Sequence, residues 1–308
     1  MTMARDEDET QPPMIDLSSI HPDRPVLIAG PTASGKSGLA LAIAEAQGGV
    51  ILNADAIQVF SDWRVLTARP SPMEEARAPH ALYGHVPGDH PYSVGEWLRE
   101  IAPWLDGPER PIIVGGTGLY FNALTRGLAQ IPPVPDALRQ EAMARLAEGG
   151  PDALLPEMDA ETRGRIDTAN PMRVQRAWEV YRATGKGLAA WQAETPPPLL
   201  APDEAETIVI GPDKDWLNAR IETRFRQMIA EGALQEAKEN AAGFTMARPS
   251  AKAIGARELI SHVEGVMSLD DAISSAVIQT RQFAKRQRTW FRSNMGAWRW
   301  IDPARAEV

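Results

Sequence analysis

Gly30-Pro31-Thr32-Ala33-Ser34-Gly35-Lys36-Ser37 fits the spacing G-x-x-x-x-G-K-[ST], and its flanks supply the context which that spacing requires. Ahead of it, Pro25-Val26-Leu27-Ile28-Ala29 is a short apolar run ending at a glycine; behind it, Ser37 to Ala46 carries a Leu/Ala/Ile helical pattern. The chain therefore opens strand, loop, helix. Glycines let backbone N–H groups converge on an anion, and the helix N-terminus adds positive potential. Lys36 supplies a mobile charge, and the Ser37 hydroxyl can ligate Mg²⁺. These donors suit clustered phosphate oxygens and leave the rest of the ligand open. A nucleoside triphosphate is the usual occupant of such a P-loop, yet any pyrophosphate ester satisfies the same groups.

Outward from this loop, residues 50–54, 111–114 and 206–210 are further short buried strands. Their alternation with helical patterns predicts an α/β fold: a P-loop NTPase-like parallel sheet with helices on both faces. Ile131-Pro132-Pro133-Val134-Pro135 and Thr195-Pro196-Pro197-Pro198 bracket a stretch that has helical patterns and no strand. The expected organisation is an acidic, flexible tail over 1–23, a catalytic core over 24–131 and 197–303, and a helical insertion domain over 132–196. Amphipathic helices are expected over 215–240 and 269–291.

Composition narrows the function classes. The 308 residues are 44% apolar and 24% charged, contain no cysteine and carry a formal charge of −9. That excludes disulfides, cysteine-ligated metal sites and a cysteine nucleophile. Asp6 to Glu9 against Arg5 reverses the charge of a signal peptide, and no apolar run nears the ~18 residues of a membrane span, so a cytoplasmic location is expected. The net charge opposes bulk attraction to nucleic acid, but Arg281, Lys285, Arg286, Arg288 and Arg292 form a run without an acid. On its own such a run is most often a solvated helix face. A nucleotide-hydrolysing P-loop protein places a Mg²⁺-holding Asp after an apolar strand. Here Ile112-Ile113-Val114 runs instead into Gly115-Gly116-Thr117-Gly118, and no Asn-Lys-x-Asp string is present.

Six segments in order resemble the tRNA dimethylallyltransferases, also called tRNA isopentenyltransferases. They are Gly30 to Ser37; Asn53-Ala54-Asp55-Ala56-Ile57-Gln58-Val59-Phe60; Thr67-Ala68-Arg69-Pro70; Gly115-Gly116-Thr117-Gly118-Leu119-Tyr120; Arg220-Ile221-Glu222-Thr223-Arg224-Phe225; and Thr280-Arg281-Gln282-Phe283-Ala284-Lys285-Arg286-Gln287. The resemblance implies transfer of a dimethylallyl group from dimethylallyl diphosphate to N6 of adenosine 37 in tRNAs that read codons beginning with U, with Mg²⁺ as cofactor and a monomeric enzyme.

It further implies that Gly30, Pro31, Thr32, Ala33, Ser34, Gly35, Lys36, Ser37, Arg220 and Arg224 hold the diphosphate, with Ser37 on the metal. Asp55 is then the general base, and Thr117 and Lys36 stand at the reacting centre. On the residues alone, Asp55 could equally be a loop or N-cap aspartate, Thr117 a helix cap, and Arg220 and Arg224 partners of Glu222 or Glu231. For tRNA, the resemblance maps contacts onto Asp55, Ala56, Ile57, Gln58 and Thr117, onto Arg139 and Met172-Arg173-Val174-Gln175-Arg176, onto Lys252-Ala253-Ile254-Gly255-Ala256-Arg257, and onto Arg281, Lys285 and Arg286. Ala56, Phe60, Lys252 and Ala256 depart from the commoner Ser, Tyr, Arg and larger residue of the family. Two rivals remain at this level: a P-loop small-molecule kinase, and a nucleic-acid-binding module with a non-catalytic loop.

Overall fold

A computed structural model describes residues 16–304, so the expected acidic tail lies outside the described residues as far as residue 15. Two compact units make up the chain, one comprising the segments up to Thr125 and from Leu200, the other Arg126–Leu199.

The larger unit is built on a six-stranded parallel sheet. Its strands are β1 (Val26–Ala29), β2 (Val50–Asn53), β3 (His80–Ala81), β4 (Pro111–Gly115), β5 (Glu206–Ile210) and β6 (Arg299–Ile301), in the order β3-β2-β4-β1-β5-β6. The central strands are buried along their whole length because both faces are covered, which is why they read as unbroken apolar runs. Alternation sorts their side chains. Val26, Ile28, Ile51, Ile112, Val114, Ile208 and Ile210 face helix α1 (Lys36–Gln47), while Leu27, Ala29, Leu52, Ile113 and Val209 pack with Trp97, Phe121 and Phe291 on the other side. Those aromatics belong to α3 (Val94–Leu105), α4 (Gly118–Arg126) and the long C-terminal helix α12 (Leu269–Asn294); a short α2 (Pro72–Arg77) precedes them.

A second apolar cluster in this unit joins α9 (Lys214–Ala230), α10 (Ala233–Ala241), α11 (Ala256–Val263) and α12 to the segment around Trp63 and Leu66. The helix expected over 215–240 is two helices, because Gly232 at φ 113° breaks it. Glu236 of α10 then accepts the backbone N–H groups of Arg64, Val65 (3.0 Å) and Leu66 (2.9 Å), clamping that segment.

Order begins before Arg24, which corrects the expected extent of the tail. Leu17–Ser19 form a 3₁₀ turn, and Ile20 is buried in the α1 cluster. The Gln47 amide donates to the Leu17 carbonyl (2.9 Å), and Arg110 donates to the His21 carbonyl. One apolar side chain with anchored carbonyls suffices to pin a polar segment.

The smaller unit is helical: α5 (Asp136–Gly149), α6 (Ala160–Arg165), α7 (Pro171–Thr184) and α8 (Leu188–Ala193). Ala142, Leu154, Met158, Val174, Ala177 and Trp178 form its own core. The Trp178 ring lies against the guanidinium groups of Arg145 (5.3 Å) and Arg182 (5.4 Å) and donates its N–H to Glu157 (2.9 Å). Pro171 at the first turn, an Asn170 cap and Gly185 in the left-handed region delimit α7. No helix among the described residues is long and apolar enough to cross a membrane.

Candidate active site

Parallel strands deliver their following loops to one edge of the sheet, and register puts Ala29 beside Gly115 and Asn53 beside Val114. The loop after β1, the turn after β2 and the turn after β4 therefore meet at the carboxyl end, where open α/β sheets bind ligands. All three belong to the larger unit.

The loop after β1 has the conformation its sequence predicts. Gly35 (φ 90°) caps α1 in the left-handed region, and Ala33 (φ 62°) also lies there with its methyl buried in the α9–α12 cluster. Ser34 Oγ is buried without a hydrogen-bond partner and fills the space beside Gly30, where a Cβ would stand 2.8 Å from it. Lys36 is half-buried and its Nζ lies 3.4 Å from the Pro31 carbonyl. Burial lowers its pKa to about 8; the Asp55 charge opposes that shift and Arg224 adds to it. Ser37, on the first turn of α1, is exposed.

The turn after β2 is shaped by Asn53. Its Oδ1 accepts the Asp55 N–H (2.8 Å), and its amide donates to the carbonyls of Asp55 and Leu82 (3.0 Å each). Its carbonyl takes the Trp97 indole N–H (2.7 Å). Asp55 Oδ1 accepts the Ile57 N–H at 3.0 Å. The other oxygen, Oδ2, faces Gly116 closely enough that a Cβ there would lie 3.2 Å away. Burial and the Asp55 charge raise the pKa values of Tyr83 and Tyr120.

The turn after β4 closes on the one after β2. The Thr117 hydroxyl accepts the Ala56 N–H (2.9 Å), and the Thr117 N–H reaches the Ala54 carbonyl (3.2 Å). Such closeness requires glycine at 115, where a Cβ would stand 2.0 Å from the Ala54 oxygen.

Arg220 and Arg224 lie one turn apart on α9. The Arg220 Nε–H donates to the Ala33 carbonyl (3.3 Å) and its guanidinium stacks on Trp216 at 4.7 Å, which carries this residue to the loop itself. Burial and then Arg220 lower the Arg224 pKa, while Asp55 acts in the opposite sense. Glu222, the alternative partner read from the sequence, binds Arg281 (2.9 Å) and Arg226 (3.6 Å). The loop, Asp55, Thr117, Arg220 and Arg224 are thus brought together.

The residues expected to meet RNA divide by exposure. Met172, Arg173, Arg176, Arg139, Lys252, Arg257, Lys285 and Arg286 present surface, and Ala56, Ile57, Gln175, Ile254 and Arg281 are half-buried. Val174, Ala253, Gly255 and Ala256 are buried, which corrects their expected place on a contact surface. Val174 fills the helical unit's core, and Ala253 and Ala256 fill the α9–α12 cluster. Gln58 donates its amide to the Thr67 (2.8 Å) and Ala68 (3.0 Å) carbonyls. In the helical unit, Arg165, Arg173, Arg176, Asn170 and Met172 border a groove of about 410 Å³. Arg165 was not singled out by the sequence, because a lone basic residue in a short helix carries no motif.

Asn53 and Gln287 also escaped. Both lie within matched segments, and both are polar residues at positions where an apolar pattern demands burial: the end of β2 and the buried stripe of α12. That mismatch was the available signal.

The chain is similar to known proteins over nearly its whole length. The family described as IPP transferase matches residues 58–294, and a second, described as isopentenyl transferase, matches residues 24–79. Proteins named tRNA dimethylallyltransferase from Cereibacter sphaeroides and Dinoroseobacter shibae are each 58% identical to the chain. The alignments cover 93% of this chain and 91% of the first relative, and 96% of this chain and all of the second. Among solved structures, a tRNA isopentenylpyrophosphate transferase from Bacillus halodurans superposes with a TM-score of 0.64 at 29% identity, over 91% of this chain and 90% of that one. A eukaryotic dimethylallyltransferase described as acting on tRNA superposes with a TM-score of 0.74 at 26% identity, over 91% and 73%.

Proposed function

The chain belongs to the IPP transferase family, the tRNA dimethylallyltransferases, and from that premise we propose which transfer it performs and with which groups. It moves a dimethylallyl group from dimethylallyl diphosphate to N6 of adenosine 37 in tRNAs reading codons that begin with U, and it releases diphosphate. One observation carries this reading: a phosphate cradle and a carboxylate oxygen, Asp55 Oδ2, share one end of a sheet.

In the transfer, the N6 lone pair forms a bond to the allylic carbon as that carbon's bond to the diphosphate oxygen breaks. Negative charge grows on the departing oxygens, and the loop N–H groups, Lys36, Arg220 and Arg224 are the groups to meet it. The N6 proton passes to Asp55, which keeps one oxygen on Ile57 N–H and has the other for the base. The Thr117 hydroxyl accepts from Ala56 N–H and still carries a proton to donate to the base or to the bridging oxygen. A stacked adenine cannot present its amine to this site, so the base is flipped out.

Among the described residues, no three His, Cys, Asp or Glu side chains form a metal cluster. The Ser37 hydroxyl, exposed on the first turn of α1, would hold Mg²⁺ as a hard oxygen donor beside the bound phosphates. When bound there, the ion would neutralise leaving-group charge. The helical unit, through Arg139, Arg173 and Arg176, and the core, through Lys252, Arg257, Lys285 and Arg286, offer phosphate-binding cations to the anticodon arm. The enzyme acts as a cytoplasmic monomer on this reading.

The test is direct. Incubation with Mg²⁺, labelled dimethylallyl diphosphate and an unmodified tRNA bearing A36-A37-A38, followed by digestion, is expected to give N6-prenylated adenosine, and Asp55→Ala to give none. Label left entirely on the donor, or phosphate transferred from ATP to a small molecule, overturns the proposal.

A further inference from the structure

Gln287 stands on the buried stripe of α12, seven-residue spacing after Thr280 and four before Phe291, among Ile273, Ala276, Val277 and Ala284. Every other buried residue of that stripe is apolar, and Gln287 is 6% exposed. Both ends of its side chain are spent on backbone. Oε1 accepts the Thr32 N–H at 3.0 Å, and Nε2 donates to the Gly116 carbonyl at 2.9 Å. Thr32 is the third residue of the phosphate loop; Gly116 immediately precedes Thr117.

We propose that Gln287 is a positioning residue for the transfer: it ties the diphosphate cradle to the Gly115–Thr117 turn and so fixes the distance between leaving group and acceptor base. The inference rests on the function proposed above. From Gln287 a continuous chain of contacts runs in both directions. On one side lies the loop of Lys36; on the other, Gly116 leads to the Thr117 hydroxyl, which accepts from Ala56 N–H beside Asp55. Two loops that come from different strands, β1 and β4, are thereby held by one side chain from a helix that starts only at Leu269. Gly116 is matched to this bridge, since a Cβ there would stand 2.4 Å from Nε2 and 3.2 Å from Asp55 Oδ2. The Thr32 N–H, pledged to Gln287, is also withdrawn from the set of amides that can turn toward phosphate. A side chain that made only packing contacts could be apolar at this position. An amide is required because the groups it joins are one donor and one acceptor, both of which its loss would leave unpaired in a buried place.

Two substitutions separate positioning from packing. Gln287→Met keeps the volume and removes both bonds. Gln287→Glu keeps the acceptor for Thr32 and can donate to Gly116 only when protonated. For Gln287→Met we expect KM for dimethylallyl diphosphate and for tRNA to stay within about threefold while kcat falls about 10²-fold, the cost of an ångström-scale misplacement of reacting groups. For Gln287→Glu we expect kcat to recover as pH is lowered and the carboxyl group takes up its proton, a trend that wild type and Gln287→Met do not share. Circular dichroism and thermal melting follow the fold of each variant. A Gln287→Met enzyme with kcat within threefold of wild type overturns the proposal, as does a rise in both KM values that accounts for the whole loss. Should that variant not fold, a Gln287→Glu profile parallel to the wild type's overturns it alone. Wild-type protein that transfers no prenyl group sinks the function itself, whereas active wild type with equally active variants sinks only the bridge.

Discussion

The carboxyl end of the sheet and the surface of the helical unit meet their proposed substrates by opposite means. At the sheet end, polar groups are buried or half-buried and hydrogen-bonded to one another: Asn53 to Asp55, Thr117 to Ala56, Gln287 to Thr32 and Gly116. On the helical unit the groups proposed to meet tRNA are long cations at the surface, such as Arg139 and Arg173, and the buried positions beside them on α7, Val174 and Ala177, serve the core. Fixed geometry costs desolvation and permits chemistry on one atom. Solvated charge costs little, gathers a polyanion and tolerates imprecision.

That contrast is sharpest where one atom is removed. Asp55→Asn keeps an acceptor for Ile57 N–H and loses the base, so prenyl transfer should fall about 10³-fold with the melting temperature unchanged. A single-turnover assay with saturating tRNA measures it, and a variant within tenfold of wild type removes Asp55 from the proton path.

Lys36 comes next. Removing its charge by Lys36→Met should lower transfer about 10²-fold, as for loss of one group that meets developing negative charge. With its pKa lowered to about 8 in the free protein, kcat/KM for the donor is expected to fall as pH rises through that value. Stability moves the other way. The folded chain holds this proton less tightly than the unfolded chain, whose value is 10.5, so unfolding free energy rises between about pH 8 and 10.5 from this group. Lys36→Met should accordingly melt no lower than wild type at neutral pH, and a marked fall would show that the charge is stabilising where it sits.

Third, Gly115→Ala drives a methyl onto the Ala54 carbonyl, 2.0 Å away, and should destabilise the larger unit by about 1–3 kcal/mol in urea unfolding. Smallest is the helical surface: Arg173→Ala with Arg176→Ala should raise KM for tRNA several-fold, leave KM for the prenyl donor unchanged and cut the slope of log affinity against log salt by about 1 per arginine. An unchanged slope would mean that these cations do not reach phosphate.

The same contrast explains what could be read from the sequence. The loop after β1 was legible because its glycines and lysine stand at a fixed spacing between strand and helix, and the strands over 26–29, 50–53, 111–115 and 206–210 because burial makes them mainly apolar; Asp55 and Thr117 were reached only through the family resemblance, since a lone acid or hydroxyl in a turn reads equally well as a cap. β3 and β6 were not, being two and three residues long and incompletely buried. Nor was the order around Ile20, which depends on Gln47 and Arg110 reaching carbonyls far along the chain. Runs such as Met172 to Arg176 were legible as basic, yet not residue by residue, since which side of a helix faces water is decided by packing. The Gln287 bridge joins positions 255 and 171 residues apart, a pairing no local pattern encodes.

Ala33 holds a left-handed backbone angle that glycine would adopt more cheaply, and its methyl is locked among α9–α12 while its carbonyl takes Arg220. The cradle is in consequence moulded during folding and does not wait for its guest. On the proposed function the donor meets a loop already in shape, and hydrogen exchange at the Thr32 and Ser34 amides, which are paired within the protein, is expected to change little when diphosphate binds.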